Sequence, residues 1–220
     1  MVLHCFYCDN IDEALIGWHK SACFYAGIPV KYHTASIAEL EEKGISPHAA
    51  HGLWMERVLE DSKNKIVGFI DIDCIISSRD WLENYYKQVQ ENKTILGLAQ
   101  CANHLASRDQ IYAAPAFCLI WREWWNKIGK PSLVADWQYD TAQRLSANAA
   151  DNEEPITVLM PSHVTRPKWP LGSNGFYGTG TLYDDHKIFH MFECSKGALD
   201  ESIFWSKLNQ LSSGANVFQP

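Results

Sequence analysis

The stretch Ile66-Val67-Gly68-Phe69-Ile70-Asp71-Ile72-Asp73-Cys74-Ile75-Ile76 carries two carboxylates, one residue apart, inside an apolar run. Polar Asn64-Lys65 and Ser77-Ser78 bound it. An apolar run of this length reads as a buried strand. Side chains alternate along a strand, so Asp71 and Asp73 are expected to project to one side. Burying two carboxylates without partners is very costly. The strand should therefore end at a pocket where a cation or polar ligand meets them. Hard divalent ions such as Mg²⁺ and Mn²⁺ take carboxylate oxygens and often share their site with a phosphate. The plainer reading is a strand end whose carboxylates cap a neighbouring helix or pair with a base. The apolar strand in front favours the metal-and-phosphate site, because open parallel sheets bind ligands at the carboxyl ends of their strands.

Upstream, Val2 to Cys8 reads as a first buried strand that stops at Asp9-Asn10. Ile11 to Ala26 has helical spacing, with Ala14, Leu15, Trp18, Ala22 and Tyr25 on one face and Asn10 or Asp12 as cap. Gly27 ends that helix and Ile28 to Tyr32 starts a second strand. A β-α-β opening implies a parallel sheet. Helices are expected at Ile37 to Glu42 and His48 to Leu59, before the strand with the two aspartates. Downstream, Asp80 to Glu91, Arg122 to Ile128, Asp140 to Ala149 and Leu199 to Leu211 read as helices. Ile95 to Ala99, Ala113 to Ile120 and Ile156 to Met160 read as strands. Pro161 to Thr181, with its prolines and glycines, reads as a long functional loop. The pattern is that of an α/β protein. Its mostly parallel, Rossmann-like central sheet is flanked by helices in one domain spanning residues 1–220.

Composition narrows the class. The 220 residues suffice for one sizeable core. A net charge of −7 supplies no global basic field for nucleic acid. Arg108, Arg122, Lys127, Lys130, Arg166 and Lys168 still offer a local basic rim. Seven scattered cysteines, an odd count, point to reduced thiols and a cytoplasmic setting. No stretch is long enough to span a bilayer, and the N-terminus has no signal-peptide pattern.

Other chemistry-bearing residues have competing readings. His186 and His190 would share a helix face, but the Glu of a His-Glu-x-x-His motif is missing. On a strand, His190 would point with Ile188 and Phe192, where a satisfied core histidine is the commoner outcome. Cys5-x-x-Cys8 lies on an expected strand, has no second pair, and reads as two core thiols. Asp136 and Asp140 are loop or helix-start carboxylates. Either is a candidate general base, and Asp140 equally suits a helix N-cap.

Taken together, these pieces resemble the GT-A-fold glycosyltransferases of the small bacterial or phage type. The residues that carry the resemblance are Ile70-Asp71-Ile72-Asp73-Cys74, matching the family's Asp-x-Asp motif, and Lys187 to Glu193, similar to its C-terminal metal-binding histidine. The first strand with its polar turn and the helix opening at Ser46 to Leu53 occupy the expected places. The resemblance implies a metal-dependent transfer of a sugar from a nucleoside-diphosphate sugar to a hydroxyl acceptor. Asp73 and His190, with Asp71, would hold Mn²⁺ or Mg²⁺. Phe6, Tyr7 and Asp9 would meet the nucleotide base, and His51 the donor. Asp71 would also reach the ribose or a metal-bound water. Gly178, Gly180 and Lys196 would close on the diphosphate, with Ser173, Asn174 and Ser195 nearby. Asp140 or Asp136 would take the acceptor's proton in an inverting enzyme. Residues 1–102 would form the donor half, 103–198 the acceptor side, and 199–220 a C-terminal helix and tail. The acceptor would be a saccharide or a hydroxymethylated DNA base.

Three rivals compete. In a haloacid-dehalogenase-like phosphatase Asp71 would be the nucleophile, Asp73 the acid/base, and Asp184-Asp185 the late acidic pair. Against it, that motif usually opens the chain. A nucleotidyltransferase needs a glycine-rich basic loop after the first strand, where this chain has Asp9-Asn10-Ile11-Asp12. A non-catalytic binding module on the same fold is the third.

Overall fold

A computed structural model describes residues 1–105, 110–192 and 201–220. The chain opens with β1 (Leu3–Cys8), α1 (Glu13–Tyr25) and β2 (Val30–Ala35). There follow α2 (Ile37–Glu42), α3 (Pro47–Asp61), β3 (Ile66–Ile70) and β4 (Cys74–Ile76). Next come α4 (Arg79–Asn92), β5 (Ile95–Cys101), β6 (Ile111–Trp121), α5 (Arg122–Lys127) and α6 (Gln143–Asp151). The remainder is β7 (Thr157–Leu159), β8 (Pro161–Pro170), β9 (Phe176–Tyr183), β10 (Ile188–Met191) and α7 (Glu201–Ser212). Helix starts follow capping chemistry. The Asp12 carboxylate accepts from Ala14 N at 2.8 Å to begin α1. The Ser46 hydroxyl accepts from Ala49 N at 3.2 Å, with Pro47 in the first turn of α3.

Six strands form one sheet in the order β2-β1-β3-β6-β5-β7. β1 pairs in parallel with β2 and β3, and β5 with β7. Only β6 runs against its neighbours β3 and β5. The expected mostly parallel sheet of an α/β protein is therefore present. β3 is buried at every residue, as a strand covered on both faces must be. A second, antiparallel sheet has the order β4-β10-β9-β8. One apolar cluster, from Leu3 to Phe218, unites both sheets with α1, α4 and α7.

Two expectations are corrected. The 66–76 run is not one strand. β3 ends at Ile70, residues 71–73 turn, and β4 joins the second sheet against β10. Both halves are buried and apolar, so composition carries no trace of the break. Nor is Pro161 to Thr181 a loop: most of it is the β8–β9 hairpin. Its prolines, Pro161, Pro167 and Pro170, lie on β8 at the outer edge of the sheet, where a missing N–H is tolerated. Gly178 and Gly180 let the two strands approach. A Cβ on Gly178 would strike the Arg166 carbonyl, and Gly180 has φ +71°. All six cysteines among the described residues are free and buried. Among those residues, no helix is long and apolar enough to cross a membrane.

Candidate metal and ligand site

The turn that interrupts the 66–76 run is fixed from both sheets. Asp71 N donates to Ala116 O at 2.8 Å, extending the β3–β6 ladder by one bond. Cys74 N closes the turn on Asp71 O at 3.1 Å, and Met191 N of β10 donates to Asp73 O at 2.9 Å. Below it, fully buried His19 of α1 bonds Cys74 O through Nε2 at 3.0 Å and Tyr32 OH through Nδ1 at 2.9 Å. A carbonyl only accepts, so Nε2 carries the proton and Nδ1 accepts from the phenol. Burial pushes His19 down from 6.5 to about 4, which keeps the ring neutral in that role.

The pairing of β4 with β10 sets His190 opposite Cys74, beside the turn. Its Nε2 lies 3.2 Å from Asp73 Oδ1. Asp71, Asp73 and His190 each offer a ligand atom, all within 4.8 Å of one another. Burial raises the Asp71 carboxyl above its ordinary range; His51 opposes this, and the charges of Asp73 and Asp140 add to it. Two crowded carboxylates of this kind are relieved by a cation. The buried His190 Nδ1 has no hydrogen-bond partner among the described residues. Buried polar atoms in folded proteins are normally satisfied, so this ring nitrogen has room for a partner beyond the described residues. Two hard oxygens and an imidazole suit a divalent cation.

This cluster opens into a cavity of about 590 Å³, within the roughly 300–1,000 Å³ usual for ligand sites. α3 and its N-cap contribute Ser46, His48 and His51. His51 Nε2 is 3.7 Å from Asp71 Oδ1, and its ring stacks on Phe6 at 5.5 Å, which in turn stacks on Trp54 at 5.1 Å. The second sheet and Phe192 just past β10 contribute an aromatic wall: Trp169 and Phe192 both pack on Tyr177, with ring centroids 5.3 and 5.1 Å away.

The third wall is the segment 131–142, clamped to α3. The Glu56 carboxylate accepts from Leu133 N at 2.6 Å and Ser132 Oγ at 2.8 Å. Gly52 allows the contact, since a Cβ there would lie 2.5 Å from Leu133 O. Asp140 and Asp136 both line the cavity. Asp140 Oδ2 accepts from Tyr112 OH at 3.1 Å and Oδ1 from Thr141 N at 2.8 Å, just before Ala142 at a left-handed φ of +61°. Asp136 Oδ1 accepts from both Gln138 N and Tyr139 N at 2.8 Å, and Oδ2 pairs with Arg144. Backbone bonds from Tyr139 and Gln138, with Arg144, hold its carboxyl below the usual range. Asp136 is thus a poor proton acceptor that organises the loop, while Asp140 presents its carboxyl at the cavity.

Of the residues singled out from sequence, Asp71, Asp73, His190, His51, Asp136 and Asp140 come together around this cavity. Phe6 lies behind His51 rather than on the lining. Tyr7 packs edge-on against Tyr32 at 6.4 Å. Asp9 accepts from Ile37 N at 3.0 Å, capping α2. Gly178 and Gly180 are corrected: they sit inside β9, and Gly178 N is already bonded to Thr181 Oγ1 at 2.9 Å, so no glycine loop faces a phosphate there. Lys196 and Ser195 lie outside the described residues, as does Arg108. Asp184-Asp185 are corrected too. They form the β9–β10 turn, at the end of β4 away from Asp73, where Asp184 Oδ2 accepts from Tyr85 OH at 2.6 Å. The late acidic pair of the phosphatase reading therefore lies away from Asp71. His186 sits in the same turn with φ +68° and shares no helix face with His190. Tyr112, Tyr177, His19 and Gly52 escaped the sequence reading. A glycine mid-helix at 52 was the one available signal, because helix interiors disfavour it.

Comparisons with known proteins place this geometry in context. No protein-family model matches the chain, and no curated protein matches it. Among solved structures, the galactosyltransferase LgtC, determined with donor and acceptor sugar analogues, superposes with a TM-score of 0.54 at 10% identity. That match covers 100% of this chain and 98% of LgtC. A protein of STIV matches at TM-score 0.46 and 14% identity, over 88% of this chain and 95% of its own. TarS of S. aureus matches at 0.46 and 14%, over 72% of this chain and 35% of TarS. The chain has a GT-A-like fold, as the galactosyltransferase LgtC does.

Proposed function

We propose that the protein is a metal-dependent glycosyltransferase that moves a sugar from a nucleoside-diphosphate sugar to a hydroxyl acceptor. One observation carries the reading: Asp71, Asp73 and His190 converge at a cavity on the fold shared with LgtC. Asp73 and His190, with Asp71, would hold Mn²⁺ or Mg²⁺. When bound, such an ion neutralises charge that grows on a departing diphosphate. The chain's own residues do the rest. His51, backed by Phe6 and Trp54, flanks the donor beside Asp71. Asp140, oriented by Tyr112 and Thr141 N, accepts the acceptor's proton if the reaction inverts. The aromatic wall of Trp169, Tyr177 and Phe192 excludes water from one side of the cavity. The whole chain acts as one catalytic unit, with the donor held by its first half and the acceptor met by residues of its second.

A thermal-shift screen of UDP, GDP, CDP, ADP and dTDP, with Mn²⁺ or with EDTA, tests the reading. A ligand that binds only the folded state raises the melting temperature. One diphosphate should stabilise the protein in Mn²⁺ and not in EDTA. Asp73→Ala should fold, lose that shift, and lose turnover of the matching nucleotide sugar. Normal turnover by Asp73→Ala, or after EDTA treatment, removes the metal assignment.

A further inference from the structure

A buried histidine is most often a satisfied core residue, and His19 of α1 would pass for one: it is fully buried and both ring nitrogens are partnered. What sets it apart is the carbonyl it serves. Among the described residues β4 is the end strand of its sheet, paired with β10. Met191 N on Asp73 O and Ser77 N on Lys187 O make residues 73 and 77 hydrogen-bonded positions of that antiparallel ladder. The alternation then turns the N–H and C=O of Cys74 away from β10. The N–H closes the turn on Asp71 O. The C=O points to the open side of β4, where a buried carbonyl without a donor is costly. His19 Nε2, at 3.0 Å, is that donor. Cys74 directly follows Asp73 and stands opposite His190 in the register. A shift of its carbonyl therefore moves the peptide on which the Asp73 side chain is mounted, relative to the histidine it faces at 3.2 Å.

The imidazole is itself aimed from a third element. Tyr32 lies on β2, the edge strand of the six-stranded sheet, and its hydroxyl donates to His19 Nδ1 at 2.9 Å. A donor at Nδ1 leaves the ring proton on Nε2, the nitrogen that faces Cys74 O. The Tyr32 ring meets the His19 ring edge-on at 5.7 Å, packs against Tyr7 at 6.4 Å, and has Lys20 Nζ 5.2 Å from its centroid. Cys23 Sγ, at 3.9 and 3.7 Å from the two ring nitrogens, is a weak second neighbour of each. A chain of hydrogen bonds thus runs from half-buried Tyr32, through His19, to the turn that carries two of the three candidate ligands.

We propose that His19 and Tyr32 are positioning residues for the cation site. Tyr32 sets the tautomer, His19 pins Cys74 O, and together they fix how Asp73 stands against Asp71 and His190. Neither touches the ion or a substrate. This rests on the metal-dependent glycosyltransferase reading and deepens it. The test titrates Mn²⁺ alone into the full-length protein and counts free ion by its EPR signal, with urea unfolding of each variant as a separate readout. His19→Leu, which is similar in size and has no donor, should raise the Mn²⁺ Kd about ten-fold or more, as loss of a group that orients a metal ligand does. His19→Gln keeps an N–H donor and should recover most of that loss. Tyr32→Phe should raise the Kd about three-fold in the wild-type background and leave it unchanged in His19→Leu, because the phenol acts through the imidazole. A purely structural role would lower stability in these variants without producing that pattern. A wild-type Kd in folded His19→Leu overturns the proposal, as does an equal effect of Tyr32→Phe in both backgrounds. Should His19→Leu fail to fold, a wild-type Kd in Tyr32→Phe overturns it instead. Failure of the underlying reading looks different: wild type then binds no Mn²⁺, or Asp73→Ala binds it as wild type does, and this proposal falls with the metal assignment.

Discussion

Gly52→Ala should separate donor binding from catalysis, and the structure sets the magnitude. Helix propensity alone favours alanine at a mid-helix site by about 1 kcal/mol. Packing opposes it. The added Cβ would lie 2.5 Å from Leu133 O, 2.6 Å from Val134 Cα and 2.7 Å from Leu133 C. The first of these is about 0.9 Å short of the 3.4 Å at which ordinary contact begins. All three atoms are backbone, so no side chain can swing aside. Overpacking of a fitted contact costs about 1–3 kcal/mol, and a clash between two backbones belongs at the upper end. The net expectation is a loss of about 2 kcal/mol. For a chain of this size that lowers the melting temperature by roughly 4–8 °C. The loop must yield by about the missing distance, and it carries Asp140. Misplacing a catalytic group by about 1 Å costs on the order of 100-fold in rate. Asp71, Asp73 and His190 lie on other elements and keep their places. Urea unfolding should therefore show the destabilisation, and turnover should fall by about two orders of magnitude. The Mn²⁺-dependent nucleoside-diphosphate shift should survive. Wild-type stability together with wild-type turnover would refute the claim that α3 sets the position of the loop.

Stability should also depend on pH through buried histidines. Burial holds His19 at about 4 in the fold against 6.5 in an unfolded chain. The unfolded chain thus takes up the proton first, and stability present above pH 6.5 is lost as pH falls toward 4. The slope for one such group is about 1.4 kcal/mol per pH unit, of order 3 kcal/mol in all. Half-exposed His4, also held at about 4, adds a smaller share in the same direction. Urea unfolding at pH 7, 5.5 and 4.5 should show a shallower pH slope in His19→Gln than in wild type; equal slopes would exclude His19 as a source. Tyr112→Phe removes the hydroxyl that orients Asp140 Oδ2. A hydrogen bond to a charged group is worth about 1.5–3 kcal/mol, so kcat should fall about ten-fold or more at unchanged donor affinity. A kcat equal to wild type would free Asp140 from Tyr112.

Much of this was legible because it is written in local chemistry. The β-α-β opening shows in the change of hydrophobic period between Cys8 and Ala26, and every helix expected in the first hundred residues is present within a few positions. The acid pair stood out because carboxylates inside an apolar run demand a partner. What escaped depends on contacts between distant segments. Nothing near Tyr112 announces that its hydroxyl meets Asp140, 28 residues away. The β8–β9 hairpin was hidden by its own edge chemistry. Prolines that usually mark loops are admissible on an outer strand, and glycines that usually mark turns here serve close approach of two strands. Asp9 looked like a ligand contact because a carboxylate at a strand end can cap a helix or meet a ligand, and only the position of α2 chooses.

The acid pair shows how a correct convergence can follow from an incorrect local structure. Alternation on one strand would aim residues 71 and 73 the same way. The structure reaches the same result through a turn, because Ile72 between them is buried, 7% exposed, and anchors the turn in the core. The two neighbours of an inward side chain are left to face outward in either geometry. The turn adds something a single strand could not. Asp71 leaves the six-stranded sheet, whereas Asp73 and His190 belong to the margin of the other, so the pocket proposed for a cation is a joint between two sheets. Its dimensions are then set by the packing of one sheet on the other, through Met191 N on Asp73 O and His19 beneath Cys74, rather than by the conformation of any single strand. Backbone bonds on both sides of that joint fix the turn and the strand that carry the three side chains. On the proposed reading, the site would thereby be built before any ion arrives, as electrostatic catalysis on a departing diphosphate would require.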